Sequence, residues 1–124
     1  MNPDSRSIGQ PTYRVRFTMP YGLNVNLQVV YTENTEYHLQ GRVCVGVRDR
    51  NSRTWIAHHQ VIGHSFAGVL RRTRDSIETH DEPFMGGRLW FVIAGRDILT
   101  SPIVAMRQPT LDEIQHYYPS IESR

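Results

Sequence analysis

Lysine is absent from the 124 residues, and all fourteen basic positions are arginine. Arginine offers a planar fork suited to carboxylates and phosphates. Its uniform use, even at Arg6 and Arg124, is read as nucleotide bias in the source genome. The formal net charge of +2 is too small to argue for nucleic acid by itself. Cysteine is nearly absent too: Cys44 stands alone, which excludes an intrachain disulfide and makes the cytoplasm the expected compartment. No apolar run approaches a membrane span. The longest, Leu89–Ala94, suits a buried strand, so no membrane association is expected. Met1–Pro11 holds no apolar segment and is not expected to act as a signal peptide.

Signature motifs are missing as well. There is no glycine-rich phosphate loop, no HExxH helix and no compact zinc spacing. Gly63–Ala67, GHSFA, superficially resembles a nucleophile elbow. Its last position is alanine, and the parallel sheet and crossover helices of a hydrolase do not follow. Cys44 lies mid-strand among valines, where a thiol behaves as a small core residue. The acidic positions Asp75, Glu78, Asp81 and Glu82 follow Arg71, Arg72 and Arg74, as in ordinary surface charge patterning.

What is present is alternation with a period of two. Tyr13–Met19 and Leu23–Tyr31 each read as strands with one apolar face, separated by a turn at Pro20-Tyr21-Gly22. Tyr37–Arg48 alternates over its whole length and reads as one strand, with His38, Arg42 and Arg48 outward. A polar turn at Asp49–Arg53 then leads to Thr54–Ile62 as its hairpin partner. The first three strands are expected to form an antiparallel meander. Ser65–Arg71 reads as a short strand, and Arg72–Glu82 as a loop, an edge strand or a short helix. Arg88–Ala94 is apolar on both parities, as in a central strand. A turn at Gly95-Arg96-Asp97 precedes a last strand near Ile103–Met106. Gln108–Tyr118 is the one good helix, opened by a capping box of Thr110 and Glu113 and ended by Pro119. The expectation is a mainly β fold: a small antiparallel barrel or a two-sheet sandwich of six or seven strands, with a short C-terminal helix. Residues 1–11 form an N-terminal arm, 12–119 a single domain and 120–124 a tail.

Three sets of residues are candidates for function. His59 and His64 could meet across a turn, and His38 could approach His58 from the paired strand; a metal site would then need a third ligand such as His80, Asp81 or Cys44. Arg14, Arg16, Arg42, Arg48, Arg50 and Arg53 would make a basic patch for single-stranded nucleic acid if the strands brought them together. Trp55, Tyr117 and Tyr118 offer apolar contacts to a protein partner. With no recognisable reaction centre, the expected function is a non-enzymatic binding or regulatory domain acting through protein–protein contacts. Those contacts include self-association to a dimer through an edge strand or the Trp55 segment. The alternatives are the arginine-patch nucleic-acid binder, and a small metal-dependent enzyme or ligand-binding barrel using the His58/His59/His64 region. No cofactor is expected.

Overall fold

The computed structural model describes the backbone of residues 15–18 and 24–117, and side chains from Asn26 to Tyr117. The arm at 1–11, the turn at Pro20-Tyr21-Gly22, Arg14, Tyr118, Pro119 and the tail at 120–124 lie outside the described residues. Within them the chain forms nine strands and one short helix. In the first sheet β1 (Val15–Thr18), β2 (Asn24–Tyr31), β3 (Thr35–Gln40) and β4 (Val43–Asp49) are neighbours in that order, and β9 (Ala105–Arg107) also pairs with β2. The second sheet orders β5 (Gly68–Arg72), β6 (Ile77–His80), β7 (Arg88–Ile93) and β8 (Arg96–Leu99) as β6-β5-β7-β8. Every pairing is antiparallel.

The mainly β, two-sheet fold with a C-terminal helix and the opening meander are as the alternation implies. The barrel is not: both sheets are open. The described residues hold nine strands rather than six or seven: Tyr37–Arg48 divides in two, Thr54–Ile62 is not a strand, and β6 and β8 are added.

Tyr37–Arg48 is two strands, β3 and β4, joined at Gly41-Arg42 with Gln40 opposite Val43. Gly41 has φ +59 and Arg42 is not among the positive-φ residues. That is the pattern of a two-residue hairpin turn of type II′, which requires glycine first. The turn hides in the sequence because two residues do not disturb a period of two. Within the hairpin His38 faces Gly46 and Leu39 faces Cys44, so Val45 is the extra residue of a β-bulge. The bulge reverses the parity of β4. Cys44 and Val47, three apart, therefore reach the same core.

Thr54–Ile62 is correspondingly not a strand. It touches β4 at the bridge between Arg48 and Trp55 and at Ile56 N–H to Val47 O (2.8 Å), then loops away through turns. It returns at Gly63–Phe66, where Cys44 N–H donates to His64 O (2.9 Å) and Phe66 N–H to Arg42 O (2.9 Å). The excursion covers the β4 edge at both ends.

Arg72–Glu82 holds the edge strand β6, and the expected turn at Gly95-Arg96-Asp97 starts one residue earlier. Ala94 and Gly95 carry φ +52 and +76, a type I′ turn, so Arg96 already belongs to β8.

Val30, Tyr37, Leu39, Cys44 and Val47 of the first sheet pack against Val69, Leu89 and Phe91 of the second, with Val61, Phe66 and Ile103 from connecting segments. A second cluster lies on the opposite face of the first sheet. There Leu27 and Val45 are covered by Tyr117, with Val43, Trp55 and Ile114 packed around them. The first sheet is thus covered on both faces. On the second, Leu89 and Phe91 turn inward while Trp90 and Val92 point away from the core. No helix among the described residues is long and apolar enough to cross a membrane.

Candidate functional site

The short helix α1 (Leu111–Ile114) begins where the capping box places it, but the expected helix over Gln108–Tyr118 is cut to this one turn, which ends at Gln115 rather than at Pro119. Thr110 Oγ1 accepts from Glu113 N–H (3.2 Å), and Glu113 Oε1 accepts from Thr110 N–H (2.9 Å). One turn is marginal by itself, so its position depends on what Glu113 does on its far side. Glu113 accepts from Arg107 Nη1 (2.8 Å) and Nη2 (2.6 Å), and Arg48 Nη2 also donates to it. Burial alone would raise its pKa. The Arg107 hydrogen bonds and the Thr110 N–H outweigh that and bring it down to about 2.

Glu36 on β3 is fully buried under the same helix. Its Oε1 accepts from Arg48 Nε (3.1 Å) and Nη2 (2.9 Å), from His38 Nε2 (3.2 Å) and from Arg107 Nη2 (3.4 Å). Burial opposes ionisation here too. The hydrogen bonds from His38 and Arg48 prevail and hold the carboxyl below its usual range. Desolvation lowers the pKa of the fully buried His38. Its contact with Glu36 is therefore a hydrogen bond from a neutral ring, not an ion pair. An ionised carboxylate only accepts, so the proton sits on Nε2 and Nδ1 accepts from Tyr117 Oη at 2.7 Å. Burial raises the pKa of Tyr117, so the phenol remains the donor.

Glu36, His38 and Glu113 offer one ligand atom each within 4.8 Å of one another, a donor set suited to zinc, manganese or iron. The gap between the carboxylates is already occupied. Arg48 Nη2 touches both, and Arg107 Nη2 touches both again from the more exposed side. Arg48 and Arg107 already balance the two carboxylates, and Arg53 approaches Glu36 from the surface, so a divalent ion added to this group would carry an uncompensated charge.

The expected metal pair is placed elsewhere. His59 Nδ1 accepts from Val61 N–H (3.3 Å), and its ring meets Tyr37 edge-on at 6.0 Å. Exposed His64 serves the β4 edge through its carbonyl. Neither belongs to a three-ligand group among the described residues.

Among the described side chains, the candidate arginines do not form one patch. Arg42 donates to Ala67 O (2.7 Å) and Asp81 O (3.0 Å) and lies over Phe66. Arg50 and Arg53 lie past the other end of β4, roughly 20 Å away at 3.4 Å per residue. Arg50 binds Thr32 O (2.8 Å) and covers Tyr31, and Arg53 reaches Glu36 at 3.5 Å. Arg48 is buried, contrary to its outward expectation, because the bulge turns it beneath the helix. The backbone of Arg16 pairs with Asn26; its side chain lies outside the described ones.

Trp55 is used inside the molecule. It stacks on His116 (4.9 Å, 14° between planes), leans on His38 (4.8 Å) and is capped by Arg48. With Tyr117, Ile56 and Val47 it lines a cavity of about 280 Å³. Gly46 makes this possible: an added Cβ there would lie 3.1 Å from Trp55 and 3.3 Å from Tyr117.

The second sheet has an open edge at β8. A two-residue turn makes Ile93 and Arg96 a hydrogen-bonded pair. Alternation then aims the N–H and C=O of Asp97 and Leu99 away from β7. Thr100 N–H to Leu89 O (3.0 Å) continues this register. Along the edge runs a groove of about 490 Å³, lined by Ile93, Ala94, Arg96, Asp97, Ile98 and Leu99 together with Gln60. Beside it, on the outer face, Val92 and Leu99 are 47% and 49% exposed. Trp90, opposite Leu99, donates to Asp97 Oδ1 (2.9 Å).

Sequence reasoning did not single out Arg107 or the β8 edge. It reached Glu36 only as one of several acids that could pair with Arg48, and Glu113 only through the capping box. Comparison of the chain with known families, with curated proteins and with solved structures finds no match.

Proposed function

We propose that this is a protein-interaction domain that receives an extended segment along β8. The observation that carries the reading is the groove of about 490 Å³ beside a strand whose alternate backbone groups have no neighbour in the sheet. Strand addition supplies main-chain hydrogen bonds for affinity and pockets on alternate residues for selectivity. Trp90, Val92 and Leu99 extend the contact onto the uncovered face, with an aromatic residue at its centre. The expected Trp55 contact is not used, since Trp55 packs against its own chain. Nothing in this reading requires catalysis. A reduced cytoplasmic setting accords with it, supported only by the unpaired, buried Cys44.

Amide hydrogen exchange tests the reading. The Asp97 and Leu99 amides should exchange fast in the dilute free protein and slow when extended peptides bind. Leu99→Pro, which removes an outward N–H while sparing the ladder to β7, should abolish that slowing. Slow exchange of both amides in the dilute free protein would refute an open edge.

A second reading rests on Glu36, His38 and Glu113 as ligands for a divalent ion, which would revive a metal-dependent function at a different place from the histidine region. It requires Arg48 to leave. Calorimetric titration with zinc or manganese should show stoichiometric binding to the unaltered protein if the reading holds. Binding that appears only in Arg48→Met would show that the guanidinium keeps the metal out.

A further inference from the structure

We infer that the segment received by β8 is a foreign chain bearing a carboxylate opposite Arg96 and an apolar side chain opposite Ile98, rather than a second copy of this chain. The inference rests on the strand-addition reading and adds the partner's chemistry. Arg96 and Ile98 share the face of β8 that carries Ile93 and Phe91, while Asp97 and Leu99 share the other with Val92 and Trp90, and residues of both faces line the groove. An incoming strand must therefore present a cation-compatible residue and an apolar residue two positions apart on one face. Asp97 is committed to the Trp90 indole. Arg96 is exposed and has no side-chain hydrogen bond or ion pair among the described residues. The unmet demand is for negative charge.

A second copy does not supply it. Two β8 strands related by a two-fold axis pair residue i with a residue of the same parity, since only residues on one face can oppose each other. Arg96 would then meet Arg96, Ile98 or Thr100 of the copy and never Asp97. The register centred on Asp97 also sets two carboxylates against each other, a destabilising cross-strand pair. The other open edge of the second sheet, β6, is no better a donor. Its one carboxylate, Glu78, already holds Arg71 (2.9 Å) and His80 (3.1 Å).

The probe is a fluorescein-labelled peptide of seven residues, alternating threonine with glutamate, valine and valine. Glutamate and valine then occupy one face. A matched peptide carries lysine for glutamate. Anisotropy titration of both is run against the unaltered full chain and against Arg96→Glu, with light scattering of the protein alone. The glutamate peptide should bind about fivefold more tightly than the lysine peptide, as expected for an exposed charge pair, and Arg96→Glu should reverse the preference. Equal affinities in both proteins would overturn the acidic partner and leave strand addition standing. A dimer formed by the protein alone and lost in Leu99→Pro would overturn it in favour of a second copy. No binding by either peptide would overturn this inference and the reading beneath it together.

Discussion

Glu113→Gln isolates the charge at the centre of the buried network while keeping its shape. Glutamine still serves a capping box, so helix initiation is largely retained and what is lost is the carboxylate. In the native chain that carboxyl ionises at about 2 against an ordinary 4.5. At 1.36 kcal/mol per pKa unit, the difference amounts to about 3 kcal/mol of stability at neutral pH. The pKa is depressed on folding. Its contribution is therefore complete above the unfolded value of 4.5 and disappears as pH falls towards the folded one. Urea denaturation at pH 7 should find the variant less stable by about 3 kcal/mol, an upper figure because Arg48 and Arg107 keep Glu36. At pH 2.5, about half a unit above the folded pKa, the native carboxyl is still largely ionised but its advantage over the unfolded chain has shrunk to about 1 kcal/mol, so the two proteins should converge to within that margin. Exposed Asp112→Asn, one residue away, should change little at either pH. A deficit below about 1 kcal/mol at pH 7, or one unchanged between the two pH values, would refute the claim that this ion cluster secures the helix.

Ala94→Gly should stabilise the fold by about 0.5–1 kcal/mol in thermal melts, because alanine holds φ +52 in the β7–β8 turn at a steric cost that glycine avoids. Gly46→Ala should cost about 1–3 kcal/mol and alter tryptophan fluorescence, since the new methyl meets Trp55 and Tyr117 rings that are themselves packed. Burial pushes the Cys44 thiol up to about 12. Its reaction with an aromatic disulfide at pH 8 should thus be limited by unfolding and rise with urea in step with the denaturation curve.

How much was legible follows from which patterns are local. The strands β1, β2 and β7 and the capped helix declare themselves within a few residues, and the structure contains them. The Tyr37–Arg48 hairpin did not, because Gly41-Arg42 preserves the alternation that marks a strand. Only the demand for a left-handed residue at Gly41 betrays the turn. The bulge at Val45 is a matter of pairing across two strands and leaves no local trace. The two-residue turn sets Cys44 on the core face opposite Leu39, and the bulge then sets Val47 on that face and Arg48 beside Glu36. Glu36, Arg48, Arg107 and Glu113 come from four separate elements, so no spacing rule connects them. The metal and arginine-patch candidates assumed faces that the bulge and the excursion after β4 reassign.

The return of β9 to β2 gives the molecule a late closing step. Arg107 joins Tyr31 across 76 residues of chain, and the whole second sheet lies between them. Contacts of that separation form after local hairpins, since loop-closure entropy must be overcome first. The β2–β3–β4 hairpins emerge early in synthesis with Glu36 already in place but without Arg107 or Glu113 to cover it. A carboxylate in that position keeps the unfinished face wet and discourages premature collapse onto Leu27 and Val45. Only when β9 and α1 arrive does the face become dry, with Arg107 and Glu113 added to the Glu36–Arg48 pair. Synthesis through α1 is thereby made a condition of burying that face.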